Sequence, residues 1–314
     1  MAGGAQFYIA VPAALGAAAS FGLTGVLQHH ATRLVPKHRA LRPSLLFDLI
    51  QQPIWVASVA ANIAGIVLQV VALSFGPLLL VQPLLVMGLF FAVLVGSALA
   101  RRRPDRALLL GAGCCVLGLA AFLLVARPTG GGGVLTVDEV LPLTVGLGIT
   151  LLVCLSIASR TGGEPRALAL ALACGVLYGV TAGLIKVVVE QFGAGLLAPF
   201  QHWTFYAVCI IGPIGFLLNQ NAYQAEAVAA PALAVITTTD PLIGIGIGRL
   251  WLGENIRTGA AAVVGEVLAL GVMAAGIVAL AHRAPHVQSQ AQPETIPGES
   301  SYDWLSRLLH PGRS

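Results

Sequence analysis

Four ionisable side chains fall inside long apolar runs of this 314-residue chain: Lys186, Asp240, Arg249 and Glu266. A charge at the centre of a membrane helix costs about 2.5–3.5 kcal/mol on insertion scales. Each of the four therefore needs a partner or a polar cavity, and each is a candidate for handling a solute, an ion or a proton. Asp240 has the least ordinary setting, TTTDPL (Thr237–Leu242), with AVI before it and IGIGIG after it. The residue before a proline avoids the α conformation, aspartate is a favoured N-cap, and proline is favoured at the first helical position. The stretch predicts a helix break, with a half-helix restarting at Pro241 and its positive end pointing into the membrane middle. Thr237, Thr238 and Thr239 would then lend hydroxyls to a pathway or bond back to their own helix.

The other candidates divide between pathway and scaffold. Glu190 follows Lys186 by four residues, so the two fit an i, i+4 pair near one interface as well as a cavity charge. Glu266, in AAVVGEVLAL, has no local partner; an ion pair to Lys186 or Arg249 competes with solute contact. Trp55, Asn62 and Gln69 recur at steps of seven on one helical face, where amides glue helices together or line a path. Glu254 stands at a helix end and reads as structural. The five cysteines (Cys114, Cys115, Cys154, Cys174 and Cys209) read as small buried hydrophobes, not disulfides or metal ligands. No phosphate loop, metal-ligand spacing or nucleophile elbow appears. No enzyme activity, no cofactor, no metal site and no ATP-driven work are expected.

The elements that must position these residues are membrane spans. The chain is 57% hydrophobic and 10% charged, whereas soluble domains carry about 25% charged residues. An all-α polytopic membrane protein of about nine (9-10) helices follows. Its spans are predicted near 5–28, 53–75, 77–100, 107–126, 140–158, 167–190, 199–220, 225–252 and 259–281. SLLFDLIQQ is too short to cross and reads as interfacial, and no secretory signal is evident at the start. With the loop after span 1 in the cytoplasm, thirteen Lys and Arg lie inside and two outside. The expectation is a multi-pass protein of the plasma (inner) membrane, N-terminus outside and C-terminus inside. Its partners would be membrane lipids and a small-molecule or ion substrate. The basic excess reports topology, so nucleic acid is not expected; a homodimer stays open.

Two landmarks recur along the chain. Phe21-Gly22-Leu23-Thr24 in span 1 matches Tyr178-Gly179-Val180-Thr181 in span 6, which places Tyr178 and Thr181 with the pathway residues. Trp55 precedes Pro83 by 28 residues, as Trp203 precedes Pro231. Spans 1–4 and 6–9 thus read as an inverted-topology repeat, an arrangement common in secondary transporters. The expected organisation is a first half at 1–139, a linking span and loop at 140–166, a second half at 167–281 and a disordered cytoplasmic tail at 282–314.

These stretches resemble the drug/metabolite transporter (DMT) superfamily with its EamA-type repeat. The resemblance is carried by ALSFGPLLLVQPLLV (Ala72–Val86), AYQAEAVAAPALAV (Ala222–Val235) and the helix end WLGE (Trp251–Glu254). The nine-span plan, the QHH that ends span 1 and the VQPL element are most similar to the NIPA-like branch, which is associated with magnesium transport. The first half departs from the pattern, ending span 3 in ARRRPDR instead of an LGE-like turn. The resemblance implies a substrate-translocating membrane protein without fixing the substrate. Three readings follow. The first is a secondary transporter of a small polar or amphipathic solute, working by alternating access, with Asp240 and Glu266 binding the solute or a coupling proton. The second is a NIPA-like magnesium or divalent-cation transporter, whose dication Lys186 and Arg249 would repel. The third is a non-transporting membrane scaffold.

Overall fold

In hydrocarbon no water is available to the backbone, so a spanning segment has to satisfy its own N–H and C=O groups, and a helix does so segment by segment. The computed structural model, which describes residues 2–33, 53–99, 106–130, 137–223, 229–255 and 259–290, is all-helical in this way. Among the described residues there is no strand, only an isolated antiparallel bridge between Thr129 and Asn255. In chain order the helices are α1 (Ala2–Arg33), α2 (Pro53–Phe75), α3 (Leu78–Leu85), α4 (Met87–Leu99) and α5 (Arg106–Ala126). Then come α6 (Val137–Arg160), α7 (Gly163–Phe192), α8 (Trp203–Tyr223), α9 (Ala229–Leu250) and α10 (Ala260–Gln290).

Seven stretches of the described residues are long and apolar enough to cross a membrane, α3 and α4 counting together as one. They are the kind of helices a polytopic membrane protein requires. α5 offers a shorter apolar stretch, Gly113–Ala126. The most interior elements are α7 and the α3–α4 unit, each with 72% of its apolar window buried, against 17% for α6 and α8. The last two therefore present most of their surface outward, as lipid-facing helices do.

Small residues set the helix spacing, which in a membrane must come from close packing because lipid is as apolar as leucine. On α7, Gly175, Gly179 and Gly183 lie on one stripe against α9. A Cβ on Gly179 would stand 2.9 Å from the Asp240 carbonyl oxygen and 2.6 Å from Ile243 Cβ. Gly22 of α1 meets α4 in the same manner, at the Gly88 backbone and Phe91 Cβ. Gly118 of α5 and Gly276 of α10 let those two helices touch backbone to backbone.

Three sequence expectations are corrected here. α9 runs unbroken from Ala229 to Leu250 with Pro241 inside it, so no half-helix starts there. Proline removes one backbone bond, and one lost bond does not end a helix whose face is packed this closely on α7. The discontinuity falls in the first half, where α3 (with Pro83 inside) gives way to α4 at Val86. The last helix does not stop at Ala281; α10 continues to Gln290, through what was expected to be tail. Cys209 is exposed, although the other four cysteines are buried or partly so. SLLFDLIQQ and the tail from 291 onward lie outside the described residues.

Candidate functional site

A cavity of about 600 Å3 occupies the middle of the helix bundle. Its walls come from α1, α2, α3 and α4 on one side and from α7, α8 and α9 on the other. Most of the lining is apolar, but a set of polar groups converges on it: Thr24 and Gln28 from α1, Asn62 and Gln69 from α2, Gln82 from α3 and Asn219 from α8. Tyr178 and Thr181 of α7 and Thr237 and Asp240 of α9 complete the set. Among the described lining residues Asp240 is the one carboxylate, and none is a lysine, arginine or histidine.

Several of these polar groups have no hydrogen-bond partner among the described residues. Oδ1 of Asp240 is enclosed and unpartnered. Gln82 is 1% exposed and neither end of its amide is bonded. Its side chain packs onto Gly244, one turn along α9 from Asp240. Nε2 of Gln28, Nε1 of Trp55 and Oδ1 of Asn219 are likewise enclosed without partners. Buried polar groups are normally satisfied, so a cluster of orphans around one cavity marks where a ligand or water would supply the missing bonds.

The two ends of the bundle are tied differently. At one end the chain turns at Gly76-Pro77 between α2 and α3. Glu254, 1% exposed, accepts hydrogen bonds from the Leu78 N–H at 2.6 Å and the Leu79 N–H at 2.8 Å, satisfying orphan donors at the start of α3. Lys186 Nζ donates to the Leu73 carbonyl at 2.9 Å and the Gly76 carbonyl at 3.1 Å, at the end of α2. Arg249 donates to the Glu254 carbonyl at 3.3 Å and Asn255 Oδ1 at 3.4 Å. At the opposite end Gln220 Nε2 donates to Gln28 Oε1 at 2.9 Å, joining α8 to α1.

The expected site residues therefore separate. Asp240, Thr237, Tyr178, Thr181, Asn62, Gln69 and Pro241 line the cavity, and Trp55 joins Asn62 and Gln69 on the face that the seven-residue step implied. Thr238, Thr239, Lys186 and Glu266 are not among the lining residues. Thr239 faces α7, its Cβ lying where a Gly175 side chain would be. Lys186 is engaged by α2 and by Glu190 at 3.4 Å, the i, i+4 pair that spacing allowed. Glu266 is 6% exposed on α10 with Oε1 unpartnered. Its expected ion pair is not formed, because Lys186 and Arg249 are bonded elsewhere.

Gln28, Gln82 and Asn219 were not singled out from the sequence, nor was the role of Glu254 at the start of α3. The signal for the amides was present: each is a Gln or Asn within a predicted span, where such residues seek partners. Nothing local could have paired Glu254 with Leu78.

No family model matches the chain. An uncharacterized protein of Corynebacterium glutamicum is 28% identical over 251 residues, covering 79% of this chain and 86% of its own length. No solved structure matches.

Proposed function

We propose that this chain is a secondary transporter of the drug/metabolite transporter kind, moving a small polar or amphipathic solute by alternating access of two inverted halves. One observation carries the reading: a partly polar cavity is walled by α1–α4 on one side and α7–α9 on the other. Binding between two repeats near the membrane middle is the arrangement that alternating access exploits. The parallel contacts of the two landmark glycines support the repeat. Gly22 meets Gly88 and Phe91, and Gly179 meets Asp240 and Ile243, the same three-residue step on the partner helix. Nine spans, an outer N-terminus and a plasma-membrane location belong to this proposal. In it, the Lys186–Glu254 end faces outward and the Gln28–Gln220 end faces the cytoplasm. Asp240 binds the solute or a coupling proton.

The magnesium reading draws on the oxygen donors of the cavity, since magnesium keeps its waters and needs few carboxylates. Asp240 supplies one negative charge, however, and a dication would remain half-compensated between mainly apolar walls. Among the described residues no three His, Cys, Asp or Glu side chains converge. Reconstitution in liposomes tests the choice, with a solute and ion screen at two pH values. Solute flux that is lost in Asp240→Asn is the expected result. Magnesium uptake that depends on Asp240, without solute flux, would give the function to the rival.

A further inference from the structure

We infer that the cavity is a binding site for an organic monocation: a protonated amine on an apolar body. The inference takes the cavity to be the solute site of the proposed transporter and names the class of solute.

Charge comes first. Among the described residues Asp240 is the one charged side chain lining the cavity, and its Oδ1 is enclosed with no partner among them. Lys186 of α7 and Arg249 of α9 are committed elsewhere: Lys186 to Leu73, Gly76 and Glu190, and Arg249 to Glu254 and Asn255. A buried carboxylate without a counter-charge is costly, and a single positive charge is what would relieve it. An anionic solute would instead add a second uncompensated negative charge beside Asp240. A dication would leave one positive charge uncompensated.

Hydrogen bonding narrows the class to an amine. An ammonium brings several N–H donors, so it needs acceptors besides the carboxylate. Gln82 of α3 packs onto Gly244, one helical turn along α9 from Asp240, and is 1% exposed with both amide atoms unbonded. Because both ends are unbonded, either orientation of the amide leaves an acceptor to offer. The walls suit the remainder of such a solute. Phe21, Trp55 and Phe216 line the cavity, and aromatic faces attract cations as well as apolar bodies. A volume of about 600 Å3 lies within the usual range for small-molecule pockets and far exceeds what a bare metal ion fills.

Three probes of similar shape and different charge test this on the full-length protein in nanodiscs: 2-phenylethylammonium, 2-phenylethanol and 3-phenylpropanoate. Empty nanodiscs correct for partition into lipid. Saturable binding of the ammonium, with the alcohol and the carboxylate at least tenfold weaker, is the expected result. Asp240→Asn, checked by melting temperature, should weaken the ammonium tenfold or more, and magnesium should not displace it. Equal binding of the alcohol or the carboxylate would overturn the inference, as would unchanged ammonium binding in a folded Asp240→Asn protein or displacement by magnesium. The charge series on the wild-type chain stands even if the variant fails to fold. Ammonium binding without flux in proteoliposomes would keep the cation site and remove the transporter reading. Flux confined to anionic solutes would keep the transporter and remove the cation site.

Discussion

Glu254 closes the N-terminus of α3 from 176 positions away, its Oε1 accepting the Leu78 N–H at 2.6 Å while Oε2 accepts the Leu79 N–H at 2.8 Å. Helix starts need acceptors for their first N–H groups, and Pro77 before Leu78 makes no side-chain cap of its own. The carboxylate comes from the WLGE loop. Truncating it orphans two buried donors, each worth about 1–3 kcal/mol. Glu254→Ala should therefore lower the melting temperature of the purified protein by roughly 5–10 °C. Glu254→Gln keeps one acceptor and should fall between the two. A melting temperature for Glu254→Ala equal to wild type would show that α3 needs no cap.

Lys186 works on the other side of the same turn, holding the Leu73 and Gly76 carbonyls while Glu254 holds the Leu78 and Leu79 amides. Its pair with Glu190 adds little, since that partner is 56% exposed. Hydrogen bonds from a charged donor contribute about 1.5–3 kcal/mol, so Lys186→Met should destabilise by about that amount. Solute affinity per folded molecule should stay within about twofold of wild type, because Lys186 does not line the cavity. A tenfold affinity change at unchanged stability would return Lys186 to the pathway.

The glycine stripe on α7 gives a packing test. Gly179→Ala would push a methyl group to within 2.9 Å of the Asp240 carbonyl, with Ile243 in the way as well. Overpacking of this kind costs about 1–3 kcal/mol. Gly246, on α9, has nothing within 4 Å of the same added atom, and Gly246→Ala should be neutral or stabilising because alanine favours the helix. Thermal unfolding of both variants checks the contrast; equal melting temperatures would mean that α7 and α9 are not held at this distance.

Hydropathy located the helices well because a span is a bulk property: about 20 apolar residues read as one whatever their order. The face carrying Trp55, Asn62 and Gln69 was legible for a related reason, since a step of seven returns to the same side of a helix. The break at Pro241 was misread because local rules treat aspartate-proline as a helix start. In α9 the packing of Gly175, Gly179 and Gly183 against it outweighs the missing bond. The roles of Lys186, Glu254 and Gln82 depend on contacts between distant segments. Local pattern could show only that charged or amide groups in apolar surroundings need partners, not which ones.

Orientation is open to direct labelling at two exposed positions that belong to opposite ends of α7. In a cysteine-free background, Ala194→Cys should react with a membrane-impermeant maleimide on intact cells, and Thr161→Cys only after permeabilisation. The thirteen-to-two distribution of basic residues motivates the expectation. The opposite labelling pattern would place the Lys186–Glu254 end in the cytoplasm and reverse the direction in which the cavity opens.

Asp240→Asn separates a binding group from a structural one. Had the aspartate capped a half-helix at Pro241, asparagine would replace it almost without loss, since the two cap about equally well. α9 instead passes through Pro241 uninterrupted, and Oδ1 of Asp240 bonds to nothing among the described residues. The aspartate thus offers the fold no cap while it keeps an uncompensated carboxylate inside the bundle, which destabilises the fold. Neutralising it should leave the melting temperature unchanged or raise it by a few degrees, while solute flux in proteoliposomes falls at least tenfold. Stability gained as activity is lost is the signature of a group kept for function. Pro241→Ala should retain measurable flux and raise stability, because it restores a backbone donor within a helix that is already continuous. A clear loss of stability in Asp240→Asn with flux per folded molecule preserved would show the carboxylate to be structural and leave the cavity without its charged group.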